Sequence, residues 1–94
     1  MITNTIDTEE LVLDETRQLT EKQKDIVLYN DDVNTFEFVT ETLMKVCCHD
    51  LIQAEQCTYI IHYNGKCSVK RGSYKELEPL CLKLLDLKLS AKIE

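Results

Sequence analysis

Ile26-Val27-Leu28-Tyr29-Asn30-Asp31-Asp32-Val33-Asn34-Thr35-Phe36-Glu37-Phe38-Val39 passes from strand chemistry through a loop into a helix. The first part is β-branched and apolar, and residues 25–29 are expected to form a strand. Ile26 and Leu28 would face one side and Val27 and Tyr29 the other, because successive strand side chains alternate. Residues 30–34 are polar and end the strand, since Asn and Asp bond readily to their own nearby backbone. Asn34-Thr35-Phe36-Glu37 then reads as a helix start, with Asn34 capping and Glu37 reaching back as in a capping box. Phe36, Val39, Leu43 and Val46 recur at helical spacing and predict one buried face.

Working outward, Asp50-Leu51-Ile52-Gln53 starts a second helix. Ala54, Cys57, Thr58, Ile61 and His62 share a face of it until Asn64-Gly65 supplies the stop. Residues 67–71 suit a second strand. Ser73-Tyr74-Lys75-Glu76 opens a third helix, whose apolar positions are Leu77, Leu80, Cys81, Leu84 and Leu85. Pro79 lies beyond the first turn and has no N–H, which predicts either a bend near Lys75 or a helix that begins around Glu78. Residues 89–94 alternate as a last strand. The order β-α-α-β-α-β makes an α+β sandwich, a small antiparallel three-stranded sheet packed against three helices. Residues 1–24 are polar and charged around one apolar island, Leu11-Val12-Leu13, and are expected to form a flexible extension ahead of a folded domain at 25–94.

A chain of 94 residues is one domain with room for little more than one layer of helices on a sheet. Its net charge of −6 and lack of a Lys/Arg cluster argue against nucleic acid, whose phosphates are held by basic side chains. The first residues lack a basic segment leading into an apolar run, and no stretch approaches the ~20 apolar residues of a membrane span. A cytoplasmic protein is expected. Cys47, Cys48, Cys57, Cys67 and Cys81 are an odd set, so reduced thiols are the default. Contiguous Cys47-Cys48-His49 does not match the two-to-four-residue spacing of zinc ligand pairs, and on a helix these side chains would diverge. No metal or other cofactor is expected. The same divergence removes Cys48 and His49 as a nucleophile and base, and no phosphate-cradling Gly loop is present, so catalysis is not expected.

The loop Asn30-Asp31-Asp32, the following Glu37-Phe38-Val39 and the later His62-Tyr63-Asn64-Gly65-Lys66 together resemble the signature of the ClpS adaptors. The resemblance runs from about Asp25 to Glu94. Each piece alone has a simpler meaning. Asn30-Asp31-Asp32 would be turn chemistry, His62 a helix-terminal His favoured by the dipole, and Phe36, Val39 and Ile61 core. Their joint occurrence in this order makes the resemblance specific.

The resemblance implies an adaptor that captures the free α-amino group and bulky apolar first residue of a protein. Such adaptors deliver the bound protein to a ClpA- or ClpC-type unfoldase for degradation. By position, Asn30, Asp32 and His62 match the family's amine-binding residues, with Asp31 as support. A primary ammonium has three N–H donors and no acceptor, so an amide oxygen, a carboxylate and a neutral imidazole nitrogen form a matched receptor. Leu28, Asn34, Phe36, Val39, Thr58, Ile61 and Leu89 match the family's side-chain pocket. The family commonly has Met at positions 36 and 58, where this chain has a rigid ring and a short polar side chain. Burying one Leu or Phe yields roughly 1.5–3 kcal/mol, whereas micromolar affinity needs about 8 kcal/mol. Amine and pocket are therefore both required. In a gapless match Lys75 and Leu80 stand where the family's docking helix has acidic and basic residues, which leaves room for a different unfoldase partner. An interaction protein that docks on an unfoldase and regulates it without reading N-termini is the alternative. A monomer is expected.

Overall fold

A computed structural model describes residues 22–94. The elements are β1 (Gln23–Tyr29), α1 (Phe36–Val46), α2 (Leu51–Asn64), β2 (Lys66–Ser73), α3 (Tyr74–Asp86) and β3 (Ser90–Ile93). The sheet is antiparallel with order β2-β1-β3, which is the expected α+β architecture. Most of the extension expected at 1–24 lies outside the described residues. Its last part does not: Gln23 and Lys24 already pair with Ser73 and Gly72, two residues ahead of the expected strand start.

β1 is the central strand because its middle is apolar on both faces. Ile26 and Leu28 are fully buried against the helices, and Val27 on the other face is nearly as hidden. Strand β2 carries one extra residue. Ile26 pairs with Lys70 but Val27 with Ser68, leaving Val69 as a β-bulge. Its carbonyl accepts the Nε2–H of buried His49 at 2.7 Å. A carbonyl only accepts, so this contact selects the His49 tautomer with the proton on Nε2.

That bond exposes a misplaced expectation. Cys47-Cys48-His49 is not helical: α1 ends at Val46, Cys47 caps it, and Cys48 adopts a left-handed φ of 58°. The reversal turns Cys47 inward, Cys48 outward and His49 inward again. Burial pushes the Cys47 thiol up to about 11, so it packs as a neutral hydrophobe. All five cysteines are free.

The helix starts follow from capping, with two corrections. Thr35, not Asn34, caps α1, its Oγ1 accepting the Phe38 N–H at 3.1 Å. Asp50 caps α2 as expected, and Gly65 at φ 91° ends it with its N–H on the Ile61 carbonyl. Ser73 and Glu76 form a capping box that starts α3 at Tyr74, so the helix does not wait for Glu78, and Pro79 sits inside it. The N–H that Pro79 lacks would have served the Lys75 carbonyl, on an exposed stretch where water can take its place. Leu77, Cys81 and Leu84 are buried, whereas Leu85 is largely exposed.

The core is built from Ile26, Leu28, Leu43, Leu77 and Leu84, all fully buried, with Val39, Ile61 and Leu89 around them. Among the described residues no helix is long and apolar enough to cross a membrane.

Candidate functional site

The end of β1 and the end of α2 are tied together by backbone. The Asn30 N–H donates to the Gly65 carbonyl at 2.8 Å, and His62 lies one helical turn before Gly65. This bond continues the ladder that pairs Tyr29 with Lys66, and together they bring a His distant in sequence beside the Asn-Asp-Asp loop.

The loop is held by one carboxylate. Asp31 Oδ1 accepts the Val33 N–H at 2.9 Å and the Asn34 N–H at 2.8 Å, while Oδ2 accepts Asn34 Nδ2 at 2.8 Å. Asn34 Nδ2 also donates to the Lys88 carbonyl at 2.9 Å, fixing the loop to the segment that precedes β3. Asn34 is thus freed from the capping role expected of it and used as a brace. Partial burial pushes the Asp31 carboxyl up, but the bonds from the Asn34 backbone, the Asn34 side chain and the Val33 backbone outweigh it and hold the group below its usual value. A depressed carboxyl stabilises the folded loop fully above its unfolded value and loses that contribution as pH falls from there through the lowered native value. A carbon-detected titration is expected to place Asp31 below the ordinary ~3.9. A midpoint at or above that value would mean the three bonds do not form in solution.

With Asp31 occupied by its own loop, Asp32 is left free. It is exposed, and among the described residues its carboxylate has neither a hydrogen bond nor an ion pair. Asn30, Asp32 and His62 line one cavity of about 360 Å³, near the lower end of volumes that hold small ligands, ~300–1,000 Å³. Asp31, Asn34, Phe36, Val39, Thr58 and Ile61 line the same cavity, as does Thr35, which the sequence reading did not single out. Leu28 and Leu89 stand apart from it. They border an adjoining crevice of about 10 Å³ that shares Asn30, Asp31, Asn34, Val39 and Ile61 with the main cavity. That space is at the limit for a single water, so both leucines act as packed floor.

One side of the site is aromatic. The Phe36 ring meets Tyr59 edge-on at 5.1 Å, Tyr59 stacks on Tyr63 at 5.7 Å, and Tyr63 meets His62 edge-on at 5.2 Å. This row orients both the Phe36 and His62 rings. Tyr59 and Tyr63 were legible only as a pair four apart on a helix, a spacing that places side chains on one face. Below them, buried Thr58 and Thr40 approach each other at 3.0 Å between hydroxyl oxygens.

A wider concavity of about 510 Å³ lies beside Cys48, His49 and Arg71; most of its charge is paired, while buried His49 Nδ1 has no hydrogen-bond partner among the described residues. Asp25 pairs with Arg71 at 3.1 Å and His49 bonds Val69. Among the described residues there is no cluster of His, Cys, Asp or Glu suited to a metal ion. The 360 Å³ cavity has no Cys, Ser or Lys in its lining. It offers convergent acceptors beside apolar surface, an arrangement for binding a cation that carries a hydrophobic group.

Residues 20–92 match the family model described as ATP-dependent Clp protease adaptor protein ClpS. The ClpS adapter protein of Campylobacter jejuni subsp. jejuni serotype O:23/36 (strain 81-176) is 40% identical over 53 residues, 56% of this chain and 55% of that protein. The ClpS adapter protein of Salmonella gallinarum is 39% identical over 41 residues, 44% of this chain and 39% of its own length. These alignments span about half or less of the curated relatives. In three dimensions the chain resembles Agrobacterium tumefaciens ClpS2, solved bound to L-phenylalaninamide, with a TM-score of 0.74 and 24% identity, covering 78% of this chain and 95% of that one. At that identity the match bears on fold.

Proposed function

Since this chain belongs to the ClpS family of Clp protease adaptors, we propose that it recognises proteins by a free α-amino group and a bulky apolar first side chain. It hands them to a ClpA- or ClpC-type unfoldase in the cytoplasm, acting as a monomer and performing no covalent chemistry itself. The observation that carries this reading is the lining of one cavity by Asn30, Asp32 and His62 together with Phe36, Val39 and Ile61. The first three supply acceptors matched to the three N–H donors of an ammonium. The second three supply surface for the side chain beside it. The phenylalaninamide bound to the A. tumefaciens neighbour has both features, an α-amine and a large apolar group.

Fluorescence anisotropy with labelled free-amine peptides tests the proposal. Peptides beginning with Phe, Leu, Tyr or Trp are expected to bind, and a Gly-initiated peptide is expected to bind at least tenfold more weakly, given roughly 1.5–3 kcal/mol for one buried side chain. No binding by any bulky-first peptide would refute the reading and leave a regulator that docks on an unfoldase without reading N-termini.

A further inference from the structure

One wall of the cavity presents a hydrogen-bond acceptor. Thr58, which lines the cavity, donates its hydroxyl hydrogen to the Ala54 carbonyl at 2.7 Å. Thr40, buried against it and outside the lining, donates to the Phe36 carbonyl at 2.9 Å. The two hydroxyl oxygens are also only 3.0 Å apart. Each hydroxyl has one hydrogen and two acceptor lone pairs, so two hydrogens serve three contacts. Whichever arrangement the hydrogens adopt, Thr58 Oγ1 keeps an unused acceptor lone pair.

With its hydrogen on the Ala54 carbonyl, Thr58 Oγ1 can only accept from a ligand. An apolar ring entering the cavity offers that lone pair nothing, whereas a ring with an O–H at its far end can donate to it. A site with buried acceptors discriminates against the ligand that leaves them unpaired. We infer that the Thr40-Thr58 pair makes this cavity prefer a donor-bearing aromatic first residue, Tyr, over Phe of nearly the same shape. Thr58 is the specificity-determining residue and Thr40 positions it. The inference rests on the recognition proposed above and adds the class of side chain.

The test uses three free-amine peptides that differ only in the first residue: Phe, Tyr and 4-methylphenylalanine. The methyl group fills the space of the phenol hydroxyl without offering a donor. Titration calorimetry of the full chain is expected to show Tyr binding about three- to tenfold tighter than the 4-methyl analogue, the yield of one neutral hydrogen bond. Thr58→Val keeps the branched shape and leaves Thr40 its bond to the Phe36 carbonyl. It is expected to bring the Tyr to 4-methyl ratio to about one, and the ratio is read independently of any change in absolute affinity. Equal affinity for Tyr and 4-methylphenylalanine in the unsubstituted protein would overturn the role of the Thr58 acceptor alone. So would a Tyr preference unchanged by Thr58→Val. Failure of all three peptides to bind would overturn the recognition reading itself and this one with it.

Discussion

Acetylating the α-amine of a Phe-initiated peptide is expected to weaken its binding about a hundredfold or more. The modification removes the positive charge and two of the three donors while leaving the Phe side chain intact. A hydrogen bond to a charged group contributes about 1.5–3 kcal/mol, and every ~1.4 kcal/mol is a factor of ten. Losing two such bonds, with the Asp32 carboxylate left beside a neutral amide, therefore exceeds the whole contribution of the buried side chain. Asp32 is exposed before binding, so part of its attraction is screened by solvent and salt. Raising the salt concentration should accordingly weaken the free-amine peptide more than the acetylated one. Asp32→Asn keeps the shape, removes the charge and should narrow the gap between the two peptides. Equal affinities for free and acetylated peptide in the unsubstituted protein would eliminate amine capture as the mechanism.

Leu43→Ala is expected to destabilise the fold by about 2–5 kcal/mol, the usual cost of a large-to-small change in a packed core. Leu43 is fully buried on α1, one turn beyond Val39, which lines the cavity. Small domains hold about 5–15 kcal/mol in total, those of this size toward the lower end, so the substitution removes a large share. The urea midpoint should drop steeply with little change in slope. Met44→Ala, on the neighbouring and partly exposed position, is the control and should move the midpoint far less. A Leu43→Ala midpoint within error of the unsubstituted protein would mean α1 is not packed as described. Loosening α1 should also weaken peptide binding, because Phe36 and Val39 are presented to the cavity by that helix.

Much of this architecture was legible because its signals are local. Asp50 and Gly65 bound α2 by side-chain capping and by a positive φ, and neither needs the rest of the protein. The capping box at Ser73 and Glu76 was strong enough to start α3 at Tyr74 despite Pro79. The α1 start was less legible because Asn34 and Thr35 are both good caps. Their choice was settled by Asp31 and the Lys88 carbonyl, which engage Asn34 and leave Thr35 to cap. Reading Cys47-Cys48-His49 as helical failed for a similar reason. What ends α1 there is a left-handed Cys48 and a bond from His49 to a bulge in β2, features without a local sequence signal.

The candidate site divides along the same line. The residue types at Asn30, Asp32 and His62, their order and the family they point to are properties of the sequence alone. So are the helical and strand periodicities that establish the α+β order. Only the tertiary structure decided that the Asn30 N–H meets the Gly65 carbonyl and so brings His62 to the loop. It also decided that Asp31 is consumed by its own loop while Asp32 has no partner among the described residues, that Leu28 and Leu89 are floor rather than wall, and that Thr40 backs Thr58. The physical reason is range. Capping and periodicity act over a few residues, whereas a site's free acceptors are those left over once contacts between distant segments have taken the rest.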